Sequence, residues 1–376
     1  MFKGLLRIRN LLFLLATLAA LALFLANGCG DKYSLPSDLP PPDYTHGGVD
    51  TTYIQINPIW TSADGRDFNF PMDVFVGYDQ FIYVCDTRNN RVVKLDVEGA
   101  FIESDSVMHP VAITQDRGLD LLVVAGDYET IAISGTPPDT VKTVYGNAVY
   151  RKKYFGDQGF QAVWRASSPY WEEVVHGRTL WHEAEFFGIS ASLDIDKEYF
   201  LADFRKNRII RFGPNDLPIP PTLIEEGDGL GQTKYPSDLY SYEIAGQKLL
   251  VYAGTGALGV QVVNPANGKP VFGDTANIPP LVRFQARPPK DVAVDELSNF
   301  YVLLQDPDPT AGRAYSYYFY KFDRYGQPLL SFGSYGSGDR QFRSPSGLAY
   351  KNGVIYIADS GNNRILRFQL STDARR

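Results

Sequence analysis

Residues 345–370 read PSGLAYKNGVIYIADSGNNRILRFQL. A proline opens a short apolar strand. A second apolar strand ends in aspartate, a polar turn follows, and Asn-Arg leads into a third strand. Two other stretches align with the latter half without a gap: residues 82–96, IYVCDTRNNRVVKLD, and residues 199–213, YFLADFRKNRIIRFG. The Asp-to-Arg spacing is five in all three, from Asp86 to Arg91, Asp203 to Arg208 and Asp359 to Arg364. Apolar residues alternating around such a turn predict an antiparallel hairpin.

Working outward, a further strand precedes each hairpin. It opens as Pro71-Met72-Asp73-Val74, Pro110-Val111-Ala112-Ile113, Pro236-Ser237-Asp238-Leu239, Pro289-Lys290-Asp291-Val292 and Pro345-Ser346-Gly347-Leu348. A sixth opening, Phe187-Gly188-Ile189, lacks the proline. Downstream, Asp96–Gly99, Asn264–Gly268 and Asp323–Gly326 are polar turns ending in glycine, which supplies the positive φ of a hairpin turn. Three units are degenerate, with strands within Leu121–Ser134, Lys248–Asn264 and Phe300–Asp323 but no Asn-Arg turn. Six four-stranded antiparallel units arranged radially make an all-β, six-bladed β-propeller, a fold that leaves only short sheet edges. An aromatic share of 14% suits such pleated surfaces.

These residues resemble the NHL repeat family over roughly residues 53–370, with residues 345–370 matching almost throughout. The resemblance implies a ring closed by its first strand. Tyr53–Trp60 (YIQINPIW) has no hairpin of its own, and the chain ends on a third strand near Gln369, so the two are expected to pair. The repeating Asp and Arg are expected to be scaffolding: Asp accepts local backbone N–H bonds, and an Arg guanidinium bridges neighbouring sheets. One branch of the family, the peptidyl-hydroxyglycine amidating lyases, places a metal-binding histidine after the proline in three units. Here those positions hold Met72, Val111, Ser237, Lys290 and Ser346, so that metal site is absent.

Three aspartates, Asp73, Asp238 and Asp291, recur two residues after proline. If they converge on the axis, a divalent cation such as Ca2+ is the ligand they would take; otherwise each caps a turn or bonds the adjacent blade, and no cofactor is required. The largest departure from the repeat is the insertion Asp157–Ala184. It carries Trp164, Arg165, Tyr170, Trp171, His176, Arg178, Trp181 and His182, residue types that dominate interface hot spots. A short helix over Glu172–His176 is expected after Pro169. Gln305–Tyr320, with Asp306, Asp308 and tyrosines 315, 317, 318 and 320, is a second candidate, read first as sheet surface. Cys85 reads as an inert strand residue.

The N-terminus is an address. Lys3, Arg7 and Arg9 precede the apolar run Leu11–Ala26, followed by Asn27, Gly28 and Cys29. This resembles a bacterial lipoprotein signal, in which the cysteine is lipidated, although Ala26 and Asn27 depart from its commonest form; an uncleaved membrane anchor is the other reading. Residues 1–28 are thus expected to be the signal, 29–52 a proline-rich tether and 53–376 the propeller. Without residues 1–28, 33 basic side chains face 43 acidic ones, a net charge of −10. That opposes nucleic-acid binding despite the basic run Arg151, Lys152 and Lys153, which reads as a solvated surface feature. The functional expectation is a membrane-anchored cell-envelope lipoprotein that binds a protein, peptide or glycan through one propeller face and the insertion. The alternatives are a lactonase- or lyase-like enzyme with an axial divalent metal, and a structural spacer.

Overall fold

The computed structural model describes residues 52–129, 142–156, 158–166, 171–175, 178–182, 185–256, 258–271, 288–307 and 315–371. Cys29, Tyr170 and His176 lie outside these residues, as does Asp308. Six antiparallel sheets follow one another along residues 53–370. Blade 1 comprises Pro71–Val76, Ile82–Asp86, Arg91–Leu95 and Phe101–Ser106. Blade 2 comprises Pro110–Gln115, Leu121–Glu129, Lys142–Lys152 and Gln161–Arg165. In blades 3 and 4 three regular strands are extended outward by isolated bridges, Phe212 to Pro218 and Val263 to Pro270. Blade 5 again has four strands, from Pro289–Val294 to Pro328–Phe332.

Blade 6 is completed from the other end of the chain. Its strands Gly347–Lys351, Val354–Asp359 and Arg364–Leu370 accept Tyr53–Gln55 as the outer strand, with Tyr53 opposite Leu370 and Gln55 opposite Phe368. The expected ring closure is therefore present. Among the described residues the buried apolar side chains form six clusters, and each straddles one seam between neighbouring blades. Each large side chain so buried contributes about 1.5–3 kcal/mol.

The Asp–Asn–Arg motif has a clear physical role. Asn90, Asn207 and Asn363 adopt φ of 55°, 53° and 55°, a left-handed conformation that asparagine tolerates better than most residues. This turns the chain so that the next residue, Arg, faces the Asp five positions back. The Nε to carboxylate distances are 2.7 Å for Arg91–Asp86, 2.9 Å for Arg208–Asp203 and 2.8 Å for Arg364–Asp359. Each Asn side chain accepts a bond from the backbone N–H just before the next blade's opening proline: Asn363 from Phe70, Asn90 from His109 and Asn207 from Tyr235. The motif is scaffolding as expected, but the arginine closes its own hairpin rather than bridging sheets, and the asparagine fixes the next blade.

Three expectations need correction. Gln161–Arg165 is the outer strand of blade 2, pairing with Ala148–Arg151, so only the residues after it are additional to the repeat. Within them, Trp171–Val175 and Arg178–His182 form a β-hairpin, not a helix; Glu172, Glu173, Val174 and Val175 are strand residues facing a second strand in register. The run Arg151–Lys153 is also not simply a solvated patch. Arg151 is buried and lies 2.8 Å from both Asp116 and Asp216, joining blade 2 to blade 3, and Lys152 lies 2.6 Å from Asp105. Cys85 is fully buried, and burial raises its thiol pKa, as suits an inert strand residue.

Candidate functional site

Strands alternate in direction, so three features share one end of the ring: the start of each first strand, the second-to-third turns, and the links between blades. This is the mouth end. The residue after the opening proline lies there in every blade. In four blades the ladder carries a bulge at that residue, at Met72, Val111, Phe187 and Lys290. Bulges re-aim side chains, and here the result is a shared pocket. Met72, Val111, Phe187, Ser237, Lys290 and Ser346, one from each blade, line a cavity of about 270 Å³ with Glu185, Phe204 and Arg205 on its wall.

The pocket is two-faced. Blades 1–3 contribute Met72, Val111 and Phe187, and blades 4–6 contribute Ser237, Lys290 and Ser346. Phe187 and Phe204 meet edge-on with centroids 5.1 Å apart. The Ser237 hydroxyl donates to the Pro289 carbonyl at 2.9 Å, and the Ser346 hydroxyl to the Met72 carbonyl at 2.6 Å. Arg205 holds Glu185 at 2.7 Å. Lys290 is half-buried, and desolvation lowers its ammonium pKa.

Deeper along the axis, Asp73, Asp238 and Asp291 do converge. They line a small cavity with a volume of about 30 Å³ open to the centre of a water molecule, room for little more than water. Each carboxylate accepts the backbone N–H of the next blade: Asp73 from Ile113 at 2.8 Å, Asp238 from Val292 at 3.2 Å and Asp291 from Leu348 at 2.7 Å. Burial, followed by repulsion from Asp238, pushes Asp73 and Asp291 well above the usual carboxylate range, and burial raises Asp238 to about 6. Asp238 and Asp291 lie close enough to act on each other's titration, and main-chain amides already serve all three aspartates. Among the described residues no group of three or more His, Cys, Asp or Glu side chains is placed to hold a metal ion. Each aspartate thus bonds the adjacent blade.

Space for them comes from glycine. A Cβ on Gly188 would lie 2.7 Å from the Asp238 Cα, and one on Gly347 would lie 2.6 Å from the Asp73 Cα.

Of the insertion residues, Trp164 packs edge-on against Phe186 and Phe212, with centroids 5.5 and 5.0 Å away, and belongs to the seam between blades 2 and 3. Arg165 is exposed and donates to the Tyr150 hydroxyl at 3.2 Å. Trp164 and Arg165 nevertheless line an open groove of about 490 Å³ with Arg208, Ile210, Ile219 and Thr222, also at the mouth end. Trp171, Arg178, Trp181 and His182 are placed by backbone only; Trp171 pairs with His182, and Trp181 with Glu172. That hairpin ends three residues before Glu185 on the pocket wall. In the second candidate segment, Tyr320 packs on the core and Tyr318 lies beside it at 6.3 Å, consistent with sheet surface.

The sequence does not show the pocket as a unit, although Met72, Val111, Ser237, Lys290 and Ser346 are the positions that lack histidine. Nor does it show two extended hairpins at the same end. In blade 2 pairing continues to Glu129 opposite Lys142, and in blade 5 to Pro307 opposite Tyr315. The signal available was the length of the apolar runs beyond the repeat.

The profile of the family described as NHL repeat matches residues 342–368. The chain carries an NHL repeat. No curated protein matches the sequence. Among solved structures, this propeller is similar to a Bacteroides thetaiotaomicron protein of unknown function, with a TM-score of 0.55 and 13% identity over 86% of this chain and 77% of the other. It is similar also to an auxiliary nutrient binding protein from Bacteroides ovatus, with a TM-score of 0.51 and 12% identity over 85% and 77%. A counterpart from Bacteroides thetaiotaomicron gives 0.50 and 9% over 85% and 77%. At these identities the likeness is one of fold.

Proposed function

We propose that this NHL-repeat propeller is an exported lipoprotein, tethered through Cys29 to a bacterial envelope membrane, that binds another envelope protein, a peptide or a glycan through its mouth end. The observation that carries this reading is the concentration of non-repeat structure there. The hairpin Trp171–His182, the extended hairpins of blades 2 and 5, the groove at Trp164 and Arg165, and the central pocket all belong to one end. Rigid rings that present additions on one face suit recognition, because the scaffold fixes loops at little entropic cost. Two proteins of the same fold described as nutrient binding accord with a binding role.

The test is a cross-linking pull-down from native envelopes. The full protein is compared with a variant in which residues 167–184 are replaced by a Gly-Ser linker and the outer strand Gln161–Arg165 is kept. A specific partner lost with the segment supports the reading, and an unchanged partner list removes the segment from the interface. For the tether, Cys29→Ser should abolish incorporation of labelled fatty acid and release the protein from membranes; retention of both would overturn lipidation at that residue.

A further inference from the structure

Among the described residues, Lys290 is the one charged pocket side chain with no bond to a neighbour. Arg205 is held by Glu185, and the hydroxyls of Ser237 and Ser346 already donate to main-chain carbonyls. The Lys290 ammonium has no hydrogen bond or ion pair to any described residue, yet a ladder bulge turns it into the cavity rather than leaving it on the sheet. A half-buried ammonium without a counter-ion is costly, and an anion that enters the cavity removes that cost. Opposite it stand Met72, Val111, Phe187 and Phe204, which offer only apolar surface.

We propose that the mouth pocket binds a small carboxylate with a compact apolar body, its head on Lys290 and its body on Phe187 and Phe204. One unpartnered cation matches one negative charge. The Glu185 carboxylate on the wall disfavours a dianion such as a phosphate monoester. The volume of about 270 Å³ lies near the lower end of small-molecule sites, which suits an aryl or short-chain acid and excludes a folded domain. This site is separate from the partner surface proposed above, and either can fail without the other.

The experiment is a 19F NMR titration of the full-length protein with 4-fluorophenylacetate and with its uncharged counterpart, 4-fluorophenylacetamide. The carboxylate should bind saturably and at least about tenfold more tightly than the amide. Lys290→Met should erase that preference, whereas Lys290→Arg should keep it, and Phe204→Ala should weaken both ligands together. Equal binding of acid and amide by the unaltered protein would overturn the proposal, and so would undiminished acid binding by a folded Lys290→Met variant. Absence of saturable binding by either probe would overturn it as well. The acid-to-amide ratio needs no variant, so the test survives if Lys290→Met fails to fold.

Discussion

Blades 1 and 6 and blade 3 carry the same Asp–Asn–Arg hairpin in different surroundings. In blade 6 the Arg364 guanidinium reaches past Asp359 to the carbonyls of Ser337 at 2.7 Å and Gln341 at 2.9 Å, and in blade 1 Arg91 reaches Ala63 and Arg66. Both arginine side chains are 8% exposed. Their aspartates in turn accept a main-chain N–H from the loop before the blade, Asn69 for Asp86 and Arg343 for Asp359. In blade 3, Arg208 bonds only Asp203 among the described residues, is 25% exposed, and lines two grooves; Asp203 accepts instead from Lys206 of its own turn. The difference lies in the preceding link. A short loop folds back under the guanidinium in blades 1 and 6, whereas blade 3 is preceded by the long segment with the extra hairpin. The same motif is thus a closed strut in two places and an open one in the third.

The largest effect should come from closing arginines. Arg364→Ala strips a buried pair and leaves Asp359 charged and enclosed, an expected loss of about 3–5 kcal/mol by denaturant unfolding. Arg208→Ala should lose only about 1–2 kcal/mol, since one Nε bond and a partly solvated pair are at stake. Equal losses would erase the distinction between the blades.

The axis should behave alike on both sides of the ring. Asp238, raised to about 6 from 3.8, keeps a proton in the folded state that the unfolded chain releases between those values. Its stabilising contribution is therefore complete below pH 3.8 and lost as pH rises through about 6, amounting to at most about 3 kcal/mol. Asp238→Asn keeps an oxygen for the Val292 N–H and should make the fall between pH 4 and pH 7 shallower in urea titrations (about 3 kcal/mol at most), with Asp73 and Asp291 supplying the remainder. An unchanged slope would place the titration elsewhere. Gly347→Ala and Gly188→Ala should each cost about 1–3 kcal/mol, because a Cβ at either site meets a neighbouring main chain. A large penalty at one and none at the other would show that the close approach differs between the two seams.

The smallest effect concerns the turn. Asn363→Ala should lose about 1–2 kcal/mol, from the bond to Phe70 and from the left-handed conformation. Asn363→Gly should recover the conformational part alone. Asn207→Ala should match, since that asparagine also bonds the next blade, at Tyr235. Thermal unfolding of the three variants separates the shared role of Asn from the unequal role of Arg.

The repeat was legible because its residues are required by local geometry. Asparagine takes the left-handed turn, arginine pairs with the aspartate five positions back, and strands alternate around them, so three good copies were enough to set the register of all six. Ring closure followed from counting strands, since Tyr53–Gln55 had no partner nearby and the last blade had a place for one. The helix expected at Glu172–His176 failed because a five-residue apolar-polar run does not distinguish helix from strand; pairing with Arg178–His182 decided it. The aspartates could be placed near the axis from their spacing after proline. That they accept the next blade's amides depended on interblade distances that spacing along one strand does not contain. The mouth pocket is of the same kind. Lys290 is one residue of one strand, and its place in the pocket, with no bond to a described residue, exists only because six separate strand openings, from Met72 to Ser346, meet around one axis. Local conformation is written in neighbouring residues, whereas the electrostatic state of a buried group is set by what the closed ring brings beside it.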